Sequence, residues 1–141
     1  MKLRRYAAPY FALQGALTLL AWAVIFLWPP IRPHFQPPGS PEILMMAFFV
    51  PDMLLFTGGS FAAARGLARG AGWGSSAAWL VTGATGYAAL YTLTISLRTG
   101  TAWLPVAIFL PAALLSLLFT TAADSRHGDV PAGAARQPDR A

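Results

Sequence analysis

Residues 48–56 read Phe-Phe-Val-Pro-Asp-Met-Leu-Leu-Phe and place a proline, Pro51, beside a carboxylate, Asp52, inside a long apolar run. No other acidic residue lies inside such a run. A charge at the centre of a membrane segment costs about 2.5 to 3.5 kcal/mol on insertion scales, so an acid there is a candidate functional residue by default. The run is long enough for a transmembrane helix, which predicts a membrane protein organised around Asp52.

The composition of the whole chain also indicates a membrane protein. Of its 141 residues, 56% are hydrophobic and only 11% are charged, which is too little charge for a soluble domain of this length. The absence of cysteine excludes disulfide exchange, thiolate metal sites and vitamin K reductase chemistry. The net charge of +5 comes from basic residues at segment ends and in the C-terminal tail, which favours membrane lipids over nucleic acid as the partner.

Four apolar runs of about 20 residues predict the domain organisation. They lie at about 8–28, 42–64, 76–97 and 102–123, and the short connections between them predict antiparallel neighbours. The first run is longer than the core of a signal peptide, so we interpret it as an uncleaved anchor. We therefore expect an all-α, up-down bundle of four transmembrane helices within residues 1–123.

The segments outside these helices are rich in helix-breaking or small residues. Residues 29–41 contain so many prolines that we expect an extended, polyproline-like loop. Residues 124–141 are rich in Ala, Gly, Pro, Arg and Asp and have little to bury, which predicts a disordered tail.

The distribution of Lys and Arg predicts the orientation of the bundle, because short loops rich in these residues stay in the cytoplasm. With the N-terminus inside, the outer side carries only Arg32 and Arg98. The inner side then carries Lys2, Arg4, Arg5, Arg65, Arg69, Arg126, Arg136 and Arg140. This indicates a multi-pass membrane protein with both termini and the tail in the cytoplasm.

Counting along the helices at about 1.5 Å per residue gives Asp52 two neighbours at similar depth, Thr18 and Tyr87. Thr18 shares a helical stripe with Gln14, and Tyr87 shares one with Tyr91 and further small or polar residues. The second stripe comprises Gly83, Tyr87, Tyr91, Thr94 and Arg98. The spacing therefore predicts a polar interior formed by Asp52, Thr18, Gln14, Tyr87 and Tyr91, with Arg98 about 15 Å further out.

Two prolines are predicted to open this interior. Pro51 leaves the carbonyl of Ala47 without its helical donor, and Pro111 does the same for Ala107. Helix kinks at these positions would line a small polar cavity around Asp52.

Each candidate residue also has a structural interpretation, which the sequence leaves open. Asp52 is either a ligand or proton site or a protonated carboxyl that stabilises packing. The two tyrosines are either site residues or core residues, and Arg98 is either a substrate-binding cation or an anchor at a helix end. The loop histidines, His34 and His127, lie on opposite sides of the predicted membrane, so we expect no metal site and no cofactor.

The pattern Val50-Pro51-Asp52-x-x-Leu55-Phe56 resembles a four-helix module of uncharacterised bacterial membrane proteins that sometimes precedes an isoprenylcysteine-methyltransferase-like domain. The resemblance covers mainly the second helix, and the cofactor-binding His and Glu residues of the methyltransferase part have no counterpart here. The resemblance therefore implies a four-helix module of a bacterial inner membrane, and no methyltransferase activity can be carried across from it. The general plan is also similar to that of sterol-isomerase-like and other small four-helix families, as an analogy of fold alone.

Three functions remain open from the sequence. The first is a non-catalytic lipid- or isoprenoid-binding protein, or an accessory subunit of a neighbouring membrane enzyme, with a polar cavity at Asp52. The second is a homodimeric, proton-linked transporter of small molecules, because one acid per chain could titrate during exchange. The third is a membrane isomerase-like enzyme, which needs a second acid or base, here Tyr87 or Tyr91.

Overall fold

The computed structural model describes residues 3–124, and these are helical apart from short connections. Four helices are long and apolar enough to cross a membrane, which makes the chain a multi-pass membrane protein. They are α1 (Leu3–Leu27, beginning with a 3-10 turn over Leu3–Tyr6), α2 (Glu42–Ala68), α3 (Gly72–Thr99) and α4 (Trp103–Asp124). The predicted tail lies outside the described residues except for Asp124.

The connection between α2 and α3 is shorter than the sequence predicted. Only residues 69–71 separate the two helices, because the glycine-rich segment continues both of them. A tight turn requires Gly70 in the left-handed region, with φ of 65°, and the amide of Ala71 donates to the carbonyl of Gly66 at 2.9 Å. Only Gly70 therefore needs the conformational freedom of glycine. The residues of the glycine-rich segment on either side of the 69–71 connection are helical.

α2 is not a regular α-helix, and Pro51 lies at the irregular part. It consists of Glu42–Ala47, Phe49–Pro51, a π-helical segment over Asp52–Gly58, and Gly59–Ala68. A proline lacks the amide that would bond four residues back, and the wider π turn follows directly after it. α4 continues through Pro111 as one α-helix. The two predicted kink positions therefore differ in their local structure.

The loop between α1 and α2 differs from the extended conformation that its prolines predicted. Pro29–His34 forms a 3-10 helix, because the φ of proline near −65° suits this geometry as well as an extended one. Its Arg32 donates from Nε to the carbonyl of Ile25 at 2.9 Å and forms an ion pair with Glu42. Arg32 thus joins the C-terminal end of α1 to the first turn of α2.

Close backbone contacts determine how α1, α2 and α3 pack. A Cβ atom added to Gly66 of α2 would lie 2.4 Å from the Cα of Gly74 in α3, so the two backbones touch at this crossing. A Cβ added to Gly15 of α1 would lie 3.2 Å from the carbonyl oxygen of Thr57 in α2, a closer contact than most side chains make. Small residues of this kind allow close approach of membrane helices. The core between them contains Phe11, Ala63, Ala78 and Val81.

α3 contacts α4 and the Gly59–Ala68 part of α2 extensively, and α1 contacts α2 more than α4. The 3-10 turn Leu3–Tyr6 lies against α4, and Ser75 of α3 donates to Asp124 at 2.7 Å. We call this end of the bundle the termini end. The opposite end, with Pro29–His34, is called the proline-loop end.

Candidate functional site

Asp52 lies between α1 and α2, and its side chain is half-buried. The indole Nε1 of Trp22 in α1 donates a hydrogen bond to its Oδ2 at 2.9 Å. The indole is itself buried, with only 5% of Trp22 exposed, and packs with Ile25 and Met45. A buried indole N–H normally has a partner, and here the partner is the carboxyl group.

Aromatic rings surround this hydrogen bond. The ring of Phe49 lies edge-on to both Trp22 and Phe26, with centroid distances of 5.2 and 5.1 Å. Phe26 also contacts Trp22 at 5.8 Å. Edge-to-face contacts at these distances are favourable, so the rings of Phe26 and Phe49 help to hold the indole of Trp22 in the orientation that points Nε1 at Asp52.

The second carboxyl oxygen, Oδ1 of Asp52, has no hydrogen-bond partner within residues 3–124 and is not enclosed by protein. Asp52 lies about 15 Å along α2 from Glu42, at about 1.5 Å per residue, which is about half the thickness of a bilayer core. At that depth the accessible oxygen would face the hydrocarbon region of a bilayer. We call the surface around it, formed by Trp22, Phe26, Phe49 and Asp52, the Asp52 cleft.

A second polar cluster joins α1, α3 and α4 nearer the termini end. The Nε2 of Gln14 donates to Thr85 Oγ1 at 3.1 Å, and Ser116 Oγ donates to Gln14 Oε1 at 3.0 Å. The hydroxyl of Tyr10 donates to the carbonyl of Ala112 at 2.8 Å and lies 2.9 Å from Ser116 Oγ. We call this cluster the Gln14 network. Its members satisfy one another, which is typical of a structural network that joins helices.

The structure separates residues that the sequence placed in one site. Gln14 and Trp22 are about 12 Å apart along α1, so the Gln14 network and the Asp52 cleft are distinct. Thr18 lies between them and donates to the carbonyl of Gln14 at 3.0 Å, and its hydroxyl makes no bond to Asp52. Only Asp52 of the predicted interior therefore lies in the cleft.

The prediction that Tyr87 and Tyr91 face the same interior as Asp52 is wrong. They are 69% and 41% exposed, and neither hydroxyl bonds to the carboxyl. Arg98 is also exposed, at the proline-loop end of α3. α3 instead turns a face of small and hydroxyl residues inward, and this face packs against α2 and α4. The inward residues include Gly74, Ala78, Thr82, Thr85, Ala89 and Ser96.

Sequence reasoning missed several of the residues that make polar contacts. Trp22 was overlooked because its apolar ring fits any membrane helix, although its N–H needs a partner. Thr82 and Thr120 were also missed, and their hydroxyls lie 2.8 Å apart between α3 and α4. A repeated spacing of three or four among the small and hydroxyl residues of α3 was the signal that could have identified its inward face.

The described residues contain no group of three or more His, Asp or Glu side chains that could hold a metal ion. The carboxyl group in the Asp52 cleft can form hydrogen bonds through Oδ1 and can exchange a proton.

The comparisons with known proteins leave the family of this chain open. No protein-family model, curated protein or solved structure matches it.

Proposed function

We propose that this chain is a non-catalytic, lipid-binding membrane module whose Asp52 cleft takes the polar head of an isoprenoid-like lipid. The observation that carries the proposal is the accessible Oδ1 of Asp52, at mid-membrane depth and bordered by aromatic rings. Binding of such a lipid would suit an accessory subunit that presents it to a neighbouring membrane enzyme.

The energetics favour an occupant for the cleft. An acid at this depth costs about 2.5 to 3.5 kcal/mol, whereas one hydrogen bond from Trp22 returns about 1 to 3 kcal/mol. A ligand hydroxyl would bond to Oδ1 as a donor, or as an acceptor when the carboxyl is protonated. The head groups of ordinary phospholipids lie at the bilayer surface, about 15 Å from this depth. An isoprenoid alcohol can place its hydroxyl deeper, while its chain packs against Phe26 and Phe49.

The proposed arrangement in the membrane is an up-down bundle with both termini in the cytoplasm of a bacterial cell. The distribution of basic residues supports it, since Arg65 and Arg69 would lie with the N-terminus on the inner side. Arg32 would then be on the outer side together with the proline loop, and the Asp52 cleft would open toward the outer half of the membrane.

A homodimeric, proton-linked transporter is the second candidate, because an accessible carboxyl oxygen can exchange a proton. The isomerase-like enzyme has less support. It needs a second acid or base at the site, and the tyrosines that were to supply one lie on the exposed face of α3.

Photolabelling tests the proposed function. A photoreactive isoprenoid alcohol is added to the chain in lipid nanodiscs, and mass spectrometry locates the labelled peptides of α1 and α2. We expect labelling near Asp52 and a loss of about tenfold in Asp52→Leu, the size of one hydrogen bond worth about 1.4 kcal/mol. The Glu42→Gln variant, which changes an acid outside the hydrocarbon region, is the matched control and should label normally.

The same variants separate the two candidates. Asp52→Asn keeps the shape of the side chain and its hydrogen bonding but cannot ionise. It should retain most of the labelling if the cleft binds an alcohol, whereas it should abolish proton flux into proteoliposomes if the chain is a transporter. Equal labelling of Asp52→Leu and the unmodified chain would contradict lipid binding in this cleft.

A further inference from the structure

Two tyrosines stack on the outside of α3. The ring centroids of Tyr87 and Tyr91 are 6.2 Å apart with an interplanar angle of 18°, and the side chains are 69% and 41% exposed. Tyr91 also contacts Phe48 of α2 at 5.7 Å. These contacts place both rings on the outer surface of α3, with Tyr91 next to α2.

The depth of Tyr87 makes its exposure unusual for a membrane protein. It lies about 22 Å from Gly72 and about 18 Å from Thr99 along α3, near the middle of the span. Lipid-facing tyrosines are typical of the two membrane interfaces, where the hydroxyl reaches water or head groups. Within residues 3–124 neither hydroxyl makes a hydrogen bond. A hydroxyl left in hydrocarbon without a partner is unfavourable, so this face needs a polar cover.

The surroundings of the pair leave room for another helix. Gly83, one turn from Tyr87 toward the termini end, and Gly86, directly before Tyr87, have no atom within 4 Å of an added Cβ. Leu90 adds an exposed apolar side chain beside the rings, 66% exposed. α3 carries no charged residue between Gly72 and Leu97, so no like charges would repel two copies of this face.

We propose that this tyrosine face, formed by Gly83, Gly86, Tyr87, Leu90 and Tyr91, is the interface with a second copy of the chain. Two copies inserted in the same direction are related by a two-fold axis along the membrane normal, which brings equal depths together. Tyr87 therefore meets Tyr87 of the other copy. A tyrosine hydroxyl both donates and accepts, so the two can satisfy each other, whereas a different partner must bring its own polar group to this depth.

The tyrosine face and the Asp52 cleft consist of different residues. The proposal therefore goes beyond lipid binding, and either can fail without the other.

Cysteine cross-linking tests the interface directly, because the chain contains no cysteine of its own. Gly83→Cys places a thiol in open space on the tyrosine face, and Leu13→Cys places one on the exposed face of α1, where Leu13 is 57% exposed. Both positions lie about 15 Å from the termini end, so the control is matched in depth. Oxidation in native membranes should give at least tenfold more disulfide-linked dimer for Gly83→Cys than for Leu13→Cys.

A second measurement examines the role of the hydroxyls. The double variant Tyr87→Phe/Tyr91→Phe keeps both rings and removes both hydroxyls. We expect the dissociation constant of the dimer, measured in liposomes by energy transfer between labelled copies, to rise by about tenfold. Gly86→Cys serves as a second thiol position if Gly83→Cys folds poorly.

Several outcomes would overturn the proposal. These are equal cross-linking of Gly83→Cys, Gly86→Cys and Leu13→Cys, a monomeric mass in native mass spectrometry from lipid nanodiscs, or a complex with another protein and no homodimer. An unchanged dissociation constant in the double tyrosine variant would refute the contact between hydroxyl groups. The choice of a second copy as the partner depends on that contact.

Discussion

Gly66→Ala would place a methyl group against the backbone of α3. The added Cβ would lie 2.4 Å from the Cα of Gly74 and 2.9 Å from its nitrogen, whereas ordinary contacts begin at 3.4 Å. The helices must therefore separate by about 1 Å, since 3.4 minus 2.4 Å is 1.0 Å. Neither atom belongs to a flexible side chain, so rotation of a side chain cannot relieve this clash.

The expected cost follows from two opposing effects. Overpacking costs about 1 to 3 kcal/mol, and the upper value applies because backbone meets backbone. Alanine is favoured over glycine inside a helix by about 1 kcal/mol. Gly66→Ala should therefore destabilise the bundle by about 2 kcal/mol, which lowers the ratio of folded to unfolded protein roughly 30-fold.

Reversible unfolding in mixed micelles, titrated with SDS and followed by far-UV circular dichroism, measures this difference. Gly72→Ala is the matched control, because an added Cβ at this nearby position meets nothing within 4 Å. The control should change the free energy of unfolding by less than about 0.5 kcal/mol. The contact between α2 and α3 would be refuted if Gly66→Ala were as stable as the control.

Two further substitutions test the polar contacts of the helices by the same unfolding measurement. Gln14→Leu removes both hydrogen bonds that the Gln14 amide makes and should lower the free energy of unfolding by about 2 to 3 kcal/mol. The control Thr94→Val loses only a bond within its own helix and should lower it by less than about 0.5 kcal/mol. Equal effects of the two would argue against a network between helices. Arg32→Ala removes a hydrogen bond to the end of α1 as well as the ion pair with Glu42, and should lower the free energy of unfolding by about 1 to 2 kcal/mol. Glu42→Gln should lower it by less, because this exposed side chain contributes at most about 1 kcal/mol. A larger effect for Glu42→Gln would contradict this role of Arg32.

The prediction of four membrane-spanning helices is confirmed, because length and hydropathy are local properties of each segment. The predicted and the observed helix limits differ mainly near glycine and proline residues. The sequence predicted a loop at residues 65–75, yet α2 extends to Ala68 and α3 begins at Gly72. Glycine favours a flexible loop in isolation, but the absence of a side chain is what allows the two helices to cross there.

The candidate site was predicted less well. Asp52 was identified because a lone acid in an apolar run is visible in the sequence. Its partner Trp22 was not, since counting depth along straight helices favoured Thr18 and ignored which way each side chain points. The π-helical segment after Pro51 also changes the rotation of the rest of α2, an effect that regular helical spacing does not include.

By itself, the amino-acid sequence determined that the chain enters a membrane, how many helices are long enough to span it, and that one of them contains an acid, Asp52. These follow from transfer free energies that add up along each segment. Only the tertiary structure decided which face of each helix turns inward. On α3 two stripes have similar spacing, one with Tyr87 and Tyr91 and one with Thr85 and Ser96. The second stripe faces the core, since Thr85 and Ser96 are buried and Thr85 accepts a hydrogen bond from Gln14 of α1. Such contacts depend on residues far apart in the chain.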